Sequence, residues 1–386
     1  MKNERQRRPR PFIFHFALII LHFCLASFLL TPSISACPFC SVTQPTLAER
    51  RAAAETVALA EVEAVAGNRA TCRVHRALKG TALSADQTVV VNDADGARVG
   101  GLAIVFGDTA AEGAPRYSLV PMTETSIGYF AGAPETRLPA AERLVYFVRF
   151  LEHADPLVAQ DAFGEFGRAP FDAVAAVADR LPMPQLRGWL RSDAVPPERK
   201  GFYGLALGLA REPAERQANL ALLSTIIDEP ASDFRAGFDG QLAGYLLLAG
   251  EPGLAHLEAR LVARPDAPTG DVRHLLTALR FYREYGRAIP RARLSQALAP
   301  LLRRPDVATT VIADLARAQA WDVLPQVVAL VPQPAEAPAN VVRAVAAFLL
   351  VCPTPAAREE LDRLRRLVPE RVAEAEQTTL LFGGDR

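Results

Sequence analysis

Between about Val57 and Phe130 the chain alternates hydrophobic and polar positions in short runs. These runs are Thr56–Val65, Arg69–Leu78, Gln87–Asn92, Leu102–Phe106 and Arg116–Met122. In Arg69–Leu78, Cys72 and Val74 fall on one side and Thr71, Arg73 and His75 on the other. That period of two predicts a strand with one buried face. Gly67-Asn68, Lys79-Gly80 and Asp95-Gly96 separate the runs as turns. Thr46–Thr56, which holds Leu47, Ala48, Arg51 and Ala52, predicts a short helix ahead of the first strand. Five strands in roughly a hundred residues predict a small OB-like β-barrel, closed or half-open, because such a curl removes exposed sheet edges.

After about Pro134 the pattern changes to Ala- and Leu-rich amphipathic segments, each bounded by proline or glycine. They run from Ala140–Leu151 and Pro156–Gly167 to Ala339–Val351 and Ala356–Leu367. Prolines stand where helices begin, as at Asp155-Pro156, Glu212-Pro213, Glu251-Pro252 and Thr354-Pro355, positions at which a missing N–H costs nothing. More than a dozen short helices without strand signals predict a solenoid of stacked helical hairpins. No fixed repeat length or signature recurs, so the likeness is to HEAT-type arrays in general. The fold class expected is multidomain α+β: an OB-like β domain over 37–134, then an α-helical repeat-like domain over 135–386.

Residues 1–36 have the pattern of an export signal. Arg5 to Arg10 form a basic start, Phe12 to Leu30 an uncharged apolar run, and Thr31-Pro32-Ser33-Ile34-Ser35-Ala36 a breaker with small residues before Cys37. Three outcomes fit: cleavage after Ala36, acylation of Cys37 at the lipobox-like Ile34-Ser35-Ala36-Cys37, or retention of 12–30 as a membrane anchor. All three place the body of the protein outside the cytoplasm, periplasmic or secreted. Composition then narrows the partners. Half the residues are hydrophobic and 22% are charged, enough for a packed core. Of 43 basic and 43 acidic residues, five basic and one acidic lie in the first 36, leaving a body with 38 against 42. A mildly acidic body excludes a phosphate-tracking nucleic-acid binder, which needs a clustered positive surface.

Cys24 belongs to the leader, which leaves Cys37, Cys40, Cys72 and Cys352 in an oxidising compartment where pairing is the default. The sequence does not choose among the three pairings. Cys37-Pro38-Phe39-Cys40 is the sharpest chemical motif. It has no preceding strand to lower a thiol pKa, as a redox dithiol requires. Ser41 stands where haem attachment needs histidine, and no second close pair completes a zinc site. Cys37 and Cys40 are thus candidates for a local disulfide, lipidation or metal binding, with the structural uses favoured and no metal or cofactor expected. Asp93-Ala94-Asp95-Gly96 fails the calcium-loop register, since Leu102 falls at the bidentate position, and predicts a turn.

Asp161 and Glu165 are four residues apart and share a helix face near His153, the pattern of an acid/base pair. A solvated charged face accounts for the same spacing and is the expectation. Gly201, Gly204 and Gly208 run at helical spacing beside Trp189, Phe202 and Tyr203. Three glycines in one helix call for a reason. Close helix–helix approach is one. A partner-binding surface formed by Trp189, Phe202, Tyr203 and Gly204 is the other. No G-x-S-x-G, H-E-x-x-H or P-loop occurs.

A cysteine-rich mature start, the strand Thr56–Val65 and a strand ending Arg76-Ala77-Leu78-Lys79-Gly80 together resemble the netrin-like module of metalloproteinase inhibitors. That resemblance implies an OB fold and a free amino-terminal Cys37 that chelates a protease's zinc through its amine and carbonyl. The chain departs from that family in having C-x-x-C where the module begins C-x-C. The whole arrangement also resembles uncharacterised bacterial exported proteins with a C-P-F-C start, which implies architecture and no activity. The expected function is an exported, non-enzymatic protein-binding or scaffold protein of the cell envelope, with its recognition surface on the helical region. The alternatives are a hydrolase using Asp161, Glu165 or His153, and an inhibitor acting through Cys37.

Overall fold

The computed structural model describes residues 39–40, 44–109, 115–230 and 235–382, with side chains to residue 378. Residues 1–36, expected to be an export signal or anchor, and Cys37 lie outside these residues. Thr46 caps helix α1 (Leu47–Ala53): its hydroxyl accepts the Glu49 N–H while Glu49 accepts the Thr46 N–H, a reciprocal pair that satisfies two orphan donors. Five strands follow, β1 (Thr56–Ala66), β2 (Arg69–Lys79), β3 (Thr88–Val91), β4 (Leu102–Thr109) and β5 (Pro115–Met122). They form an open antiparallel sheet in the order β3-β2-β1-β4-β5. Pro121 lies in the edge strand β5, where a missing donor does least harm.

Both faces of the sheet are covered. Val57, Ile104, Phe106 and Met122 face the helices and belong to the main core. Their neighbours Ala58, Ala60, Ala103 and Val105 face a second, smaller core with Cys72, Val74, Val89 and Val91. The pairing of β1 with β2 shifts register three times along its length, and such bulges bend a strand and increase its twist. Ala70, Cys72 and Val74 are buried as the alternation predicts.

The helices begin earlier than the sequence pattern suggested. Helix α2 (Glu124–Gly132) starts on a capping box between Thr123 and Ser126. It has no clear apolar stripe, and it is fixed by burying Tyr129 and Phe130. There follow α3 (Ala140–Phe147), α4 (Pro156–Arg168), α5 (Phe171–Ala176), α6 (Met183–Arg191), α7 (Pro197–Leu207) and α8 (Pro213–Asp228). Next come α9 (Phe238–Leu257), α10 (Thr269–Tyr285), α11 (Arg291–Leu298), α12 (Ala308–Arg317) and α13 (Leu324–Val328). The last three are α14 (Ala339–Val351), α15 (Pro355–Leu367) and α16 (Pro369–Phe382). The expected break between Ala249 and Leu254 is a kink inside α9, at Gly250 with φ 59°. One hydrophobic core runs without interruption from Leu47 and Val57 through Phe163 and Leu275 to Val372.

Arginines join helices that lie far apart in the chain. Arg211 pairs with Asp179, Arg235 with Asp271, Arg280 with Asp314, Arg293 with Glu258 and Arg343 with Glu374. The partners in these pairs are 31 to 36 residues apart. Asp271 and Asp314 are buried, so each arginine neutralises a carboxylate that is costly to leave alone.

The glycines of α7 and α9 explain how these two helices meet. A Cβ on Gly204 would lie 2.6 Å from the Gln241 Cα, and one on Gly208 equally close to the Gly244 Cα. Gly201, Gly204 and Gly208 thus face Gly237, Gly240 and Gly244 backbone to backbone. Gly204→Ala is expected to destabilise by about 1–3 kcal/mol through overpacking. Gly188→Ala, where an added Cβ meets nothing within 4 Å, should instead stabilise by about 0.5–1 kcal/mol. Thermal unfolding of the two variants, run side by side, checks both signs.

Candidate functional site

The strongest polar cluster lies where α1, α2, α3 and α4 converge. Asp161 and Glu165 project from α4 into this junction and are 9% and 5% exposed, contrary to the solvated face that their spacing suggested. What packs over them is α1. The Leu47 N–H, one of the free donors at the start of α1, donates to Asp161 Oδ1 at 2.6 Å. The Tyr129 hydroxyl donates to Asp161 Oδ2, also at 2.6 Å. Arg143 from α3 pairs with Glu165, and Arg168 reaches Glu49 at 2.7 Å.

Burial governs the protonation of this group. It pushes the Asp161 carboxyl above its ordinary range, against the pull of the Tyr129 hydroxyl and the Leu47 N–H. It pushes Glu165 up to about 7, opposed by the Thr46 hydroxyl and Arg143. Tyr129 is raised as well, first by burial and then by the Asp161 charge, and stays a neutral donor. Chemically the cluster is an acid pair with one tyrosine proton and one arginine. Asp161 is directed at the Leu47 backbone and Tyr129 and so seats the start of α1 on α4, while Glu165 Oε1 and Arg143 Nε are buried without a hydrogen-bond partner among the described residues.

His153 does not join the acid pair. Its Nδ1 accepts the Asp155 N–H at 3.0 Å, and Asp155 in turn caps α4 through the Leu157 and Val158 N–H groups. The proposed aromatic surface is likewise internal. Phe202 and Tyr203 are fully buried, Gly204 is filled by Gln241, and Trp189 packs on Tyr203 with ring centres 5.4 Å apart. These four residues therefore serve helix packing, the first of the two readings of the glycine run. Sequence reasoning missed the network beneath them. Glu152, held at φ 53°, accepts from Arg199 at 2.8 Å and from the Tyr203 hydroxyl at 2.5 Å. Arg199 also donates to Gln160 at 2.8 Å. These residues are 47 and 51 apart, a distance no local motif spans.

In the C-P-F-C motif the phenylalanine carries the structure. Phe39 is 6% exposed, stacks edge-on against Phe281 at 5.1 Å and lies over Gly201. Cys40 is partly buried against the same core, and Cys72 and Cys352 are buried thiols. Burial raises the Cys72 thiol pKa further, the behaviour of an inert core cysteine. Among the described residues no group of histidine, cysteine and carboxylate side chains could hold a metal ion. None of the described helices is long and apolar enough to cross a membrane. Comparison with family models, curated proteins and solved structures gives no match.

Because burial raises Glu165 to about 7 from an ordinary 4.5, the folded state takes up its proton more readily than the unfolded chain. The stabilisation is complete below the unfolded value and is lost as pH rises through 7. Glutamine in its place does not titrate. The stability of the wild type relative to Glu165→Gln should therefore fall by on the order of 2–3 kcal/mol between pH 5 and pH 8. Denaturant titrations of both proteins at the two pH values measure it. An equal difference at both would reject a raised Glu165.

Proposed function

We propose that this chain is an exported, non-enzymatic scaffold or binding protein of the cell envelope that recognises a protein partner through its helical region. The observation that carries the reading is the succession of helices after the sheet, among which five arginine pairs join residues 31 to 36 apart. Such spacing supports a stack of helical hairpins, with the HEAT-like likeness resting on the helical pattern alone, and stacked hairpins offer extended ridges and grooves to polypeptides. The recognition surface is then the solvated outer face of the array, since Phe202 and Tyr203 are buried. The β part reads as an OB-like, half-open barrel. The bulges of β1 and the separate small core on one face of the sheet support that curl.

The basic and apolar leader motivates export, with Cys37 or residues 12–30 as the possible membrane attachments. The hydrolase alternative loses support because Asp161, Glu165 and His153 serve capping and interhelix pairs. Burial of Phe39 ties the segment after Cys37 to the helical core, which weighs against a projecting inhibitory wedge.

The test uses the full chain, because one core runs through both parts. A protein captured from envelope extract is purified, recombined with the chain and mapped by hydrogen exchange. Protection concentrated on α4 to α15 is the expected result. Substrate turnover by the purified chain, abolished in Asp161→Asn, would overturn the reading.

A further inference from the structure

At the opposite end of α1 from the acid pair lies a cleft of about 340 Å³, within the size range of small-ligand sites. Three stretches far apart in sequence build it: α1, the end of β2, and the end of α2 with the loop that follows. Ala48 and Ala52, one turn apart on α1, leave the space. Leu78, Phe130, Ala133 and Pro134 add apolar wall.

The charged groups in its lining are mostly cationic. Arg51, Lys79 and Arg137 line it against the single carboxylate of Glu135, and Arg137 already pairs with that carboxylate at 2.5 Å. Among the described residues Arg51 and Lys79 form no close ion pair; Arg51 acts on Glu135 only as a lesser influence beside Arg137. Arg51 instead lies over the Phe130 ring, 5.5 Å from its centre, a cation–π contact that holds the guanidinium over an apolar floor. Lys79 donates to the Arg51 and Ala52 carbonyls at 2.9 and 2.8 Å, which fixes its ammonium at the cleft wall. An ammonium has a third proton to give. A guanidinium fork matches a carboxylate with two parallel hydrogen bonds.

We propose that this cleft binds a carboxylate that carries an apolar body, the carboxylate between Arg51 and Lys79 and the body against Phe130 and Leu78. A free organic acid and a polypeptide's terminal carboxylate share that chemistry. The site is separate from the helical recognition surface, and either reading stands if the other fails.

The purified full chain is titrated by calorimetry and ligand-observed NMR with 4-phenylbutyrate, its neutral amide and inorganic phosphate. The acid should bind at least about tenfold more tightly than the amide, as a charge-assisted bidentate contact requires. It should also bind more tightly than phosphate, which lacks the apolar body. Arg51→Gln should weaken the acid by about tenfold. Ala52→Trp, which keeps all three cations and fills the space, should abolish binding, and unchanged circular dichroism shows that both variants fold. Peptides ending in phenylalanine, as acid and as amide, then separate the sources. A peptide acid tighter than phenylbutyrate identifies a polypeptide terminus; a weaker one identifies a free acid. No binding of phenylbutyrate at about 10 mM, a range already weaker than millimolar sites, overturns the proposal. So does equal binding of acid and amide, or binding unchanged in both variants.

Discussion

The seating of α1 by Asp161 is the contact on which the arrangement of sheet and helices depends. A seven-residue helix is too short to hold itself together in water, and its first N–H groups need partners when buried. Asp161 supplies one to Leu47, and the capping box between Thr46 and Glu49 supplies others. Lys79 meets the carbonyls at the other end. Arg50 reaches from the middle to Ser118 and lies over Phe106, 4.3 Å from the ring centre. The short helix is thereby pinned to α4, β2, β4 and β5 at once. Removing the carboxylate would leave a buried backbone donor and a buried tyrosine hydroxyl unsatisfied, a larger loss than the bonds themselves are worth.

The same geometry explains why a carboxylate pair four residues apart is not by itself a catalytic signal. Helical spacing places Asp161 and Glu165 on one face, but only the tertiary partner decides whether that face meets water or α1. The strands were legible because alternation reports burial directly, as Ala70, Cys72 and Val74 demonstrate. Helix starts were legible where proline marks them, as at Pro156, Pro213 and Pro355. Helix α2 was not, because its start rests on Thr123 and Ser126 and its sequence lacks an apolar stripe. The glycines of α7 announced themselves. Their counterparts Gly237, Gly240 and Gly244 carry the same three-then-four spacing in the sequence, a match that only the packing of the two helices explains.

The arginine pairs follow the same logic. A search for repeated residue identity finds no period, since the helices share composition rather than signature. Charge offset is the better probe, because an arginine can reach an acid on a neighbouring segment whatever fills the residues between. Arg211, Arg235, Arg280, Arg293 and Arg343 all obey that offset. Where the acid is buried, as at Asp271 and Asp314, the pair adds specificity of register more than net stability, given the cost of taking the carboxylate out of water. The pairs of Arg211 with Asp179 and of Arg343 with Glu374 stay solvated.

Against this background of matched charge, Arg51 and Lys79 stand out energetically. Two cations drawn to one apolar cleft repel each other, and their residual partners are a ring face and backbone carbonyls. At Arg235, Arg280 and Arg293 the fold neutralises such groups with aspartate or glutamate. Here the cleft's own acid, Glu135, is paired with Arg137 and feels the Arg51 charge only as a lesser influence, so the lining keeps a surplus of positive charge. Lys79 cannot be dispensed with, because it closes the carboxyl end of α1, so the α1 anchor fixes one of these charges in the cleft. The seat that organises the interior and the cleft that faces solvent are the two ends of one short helix.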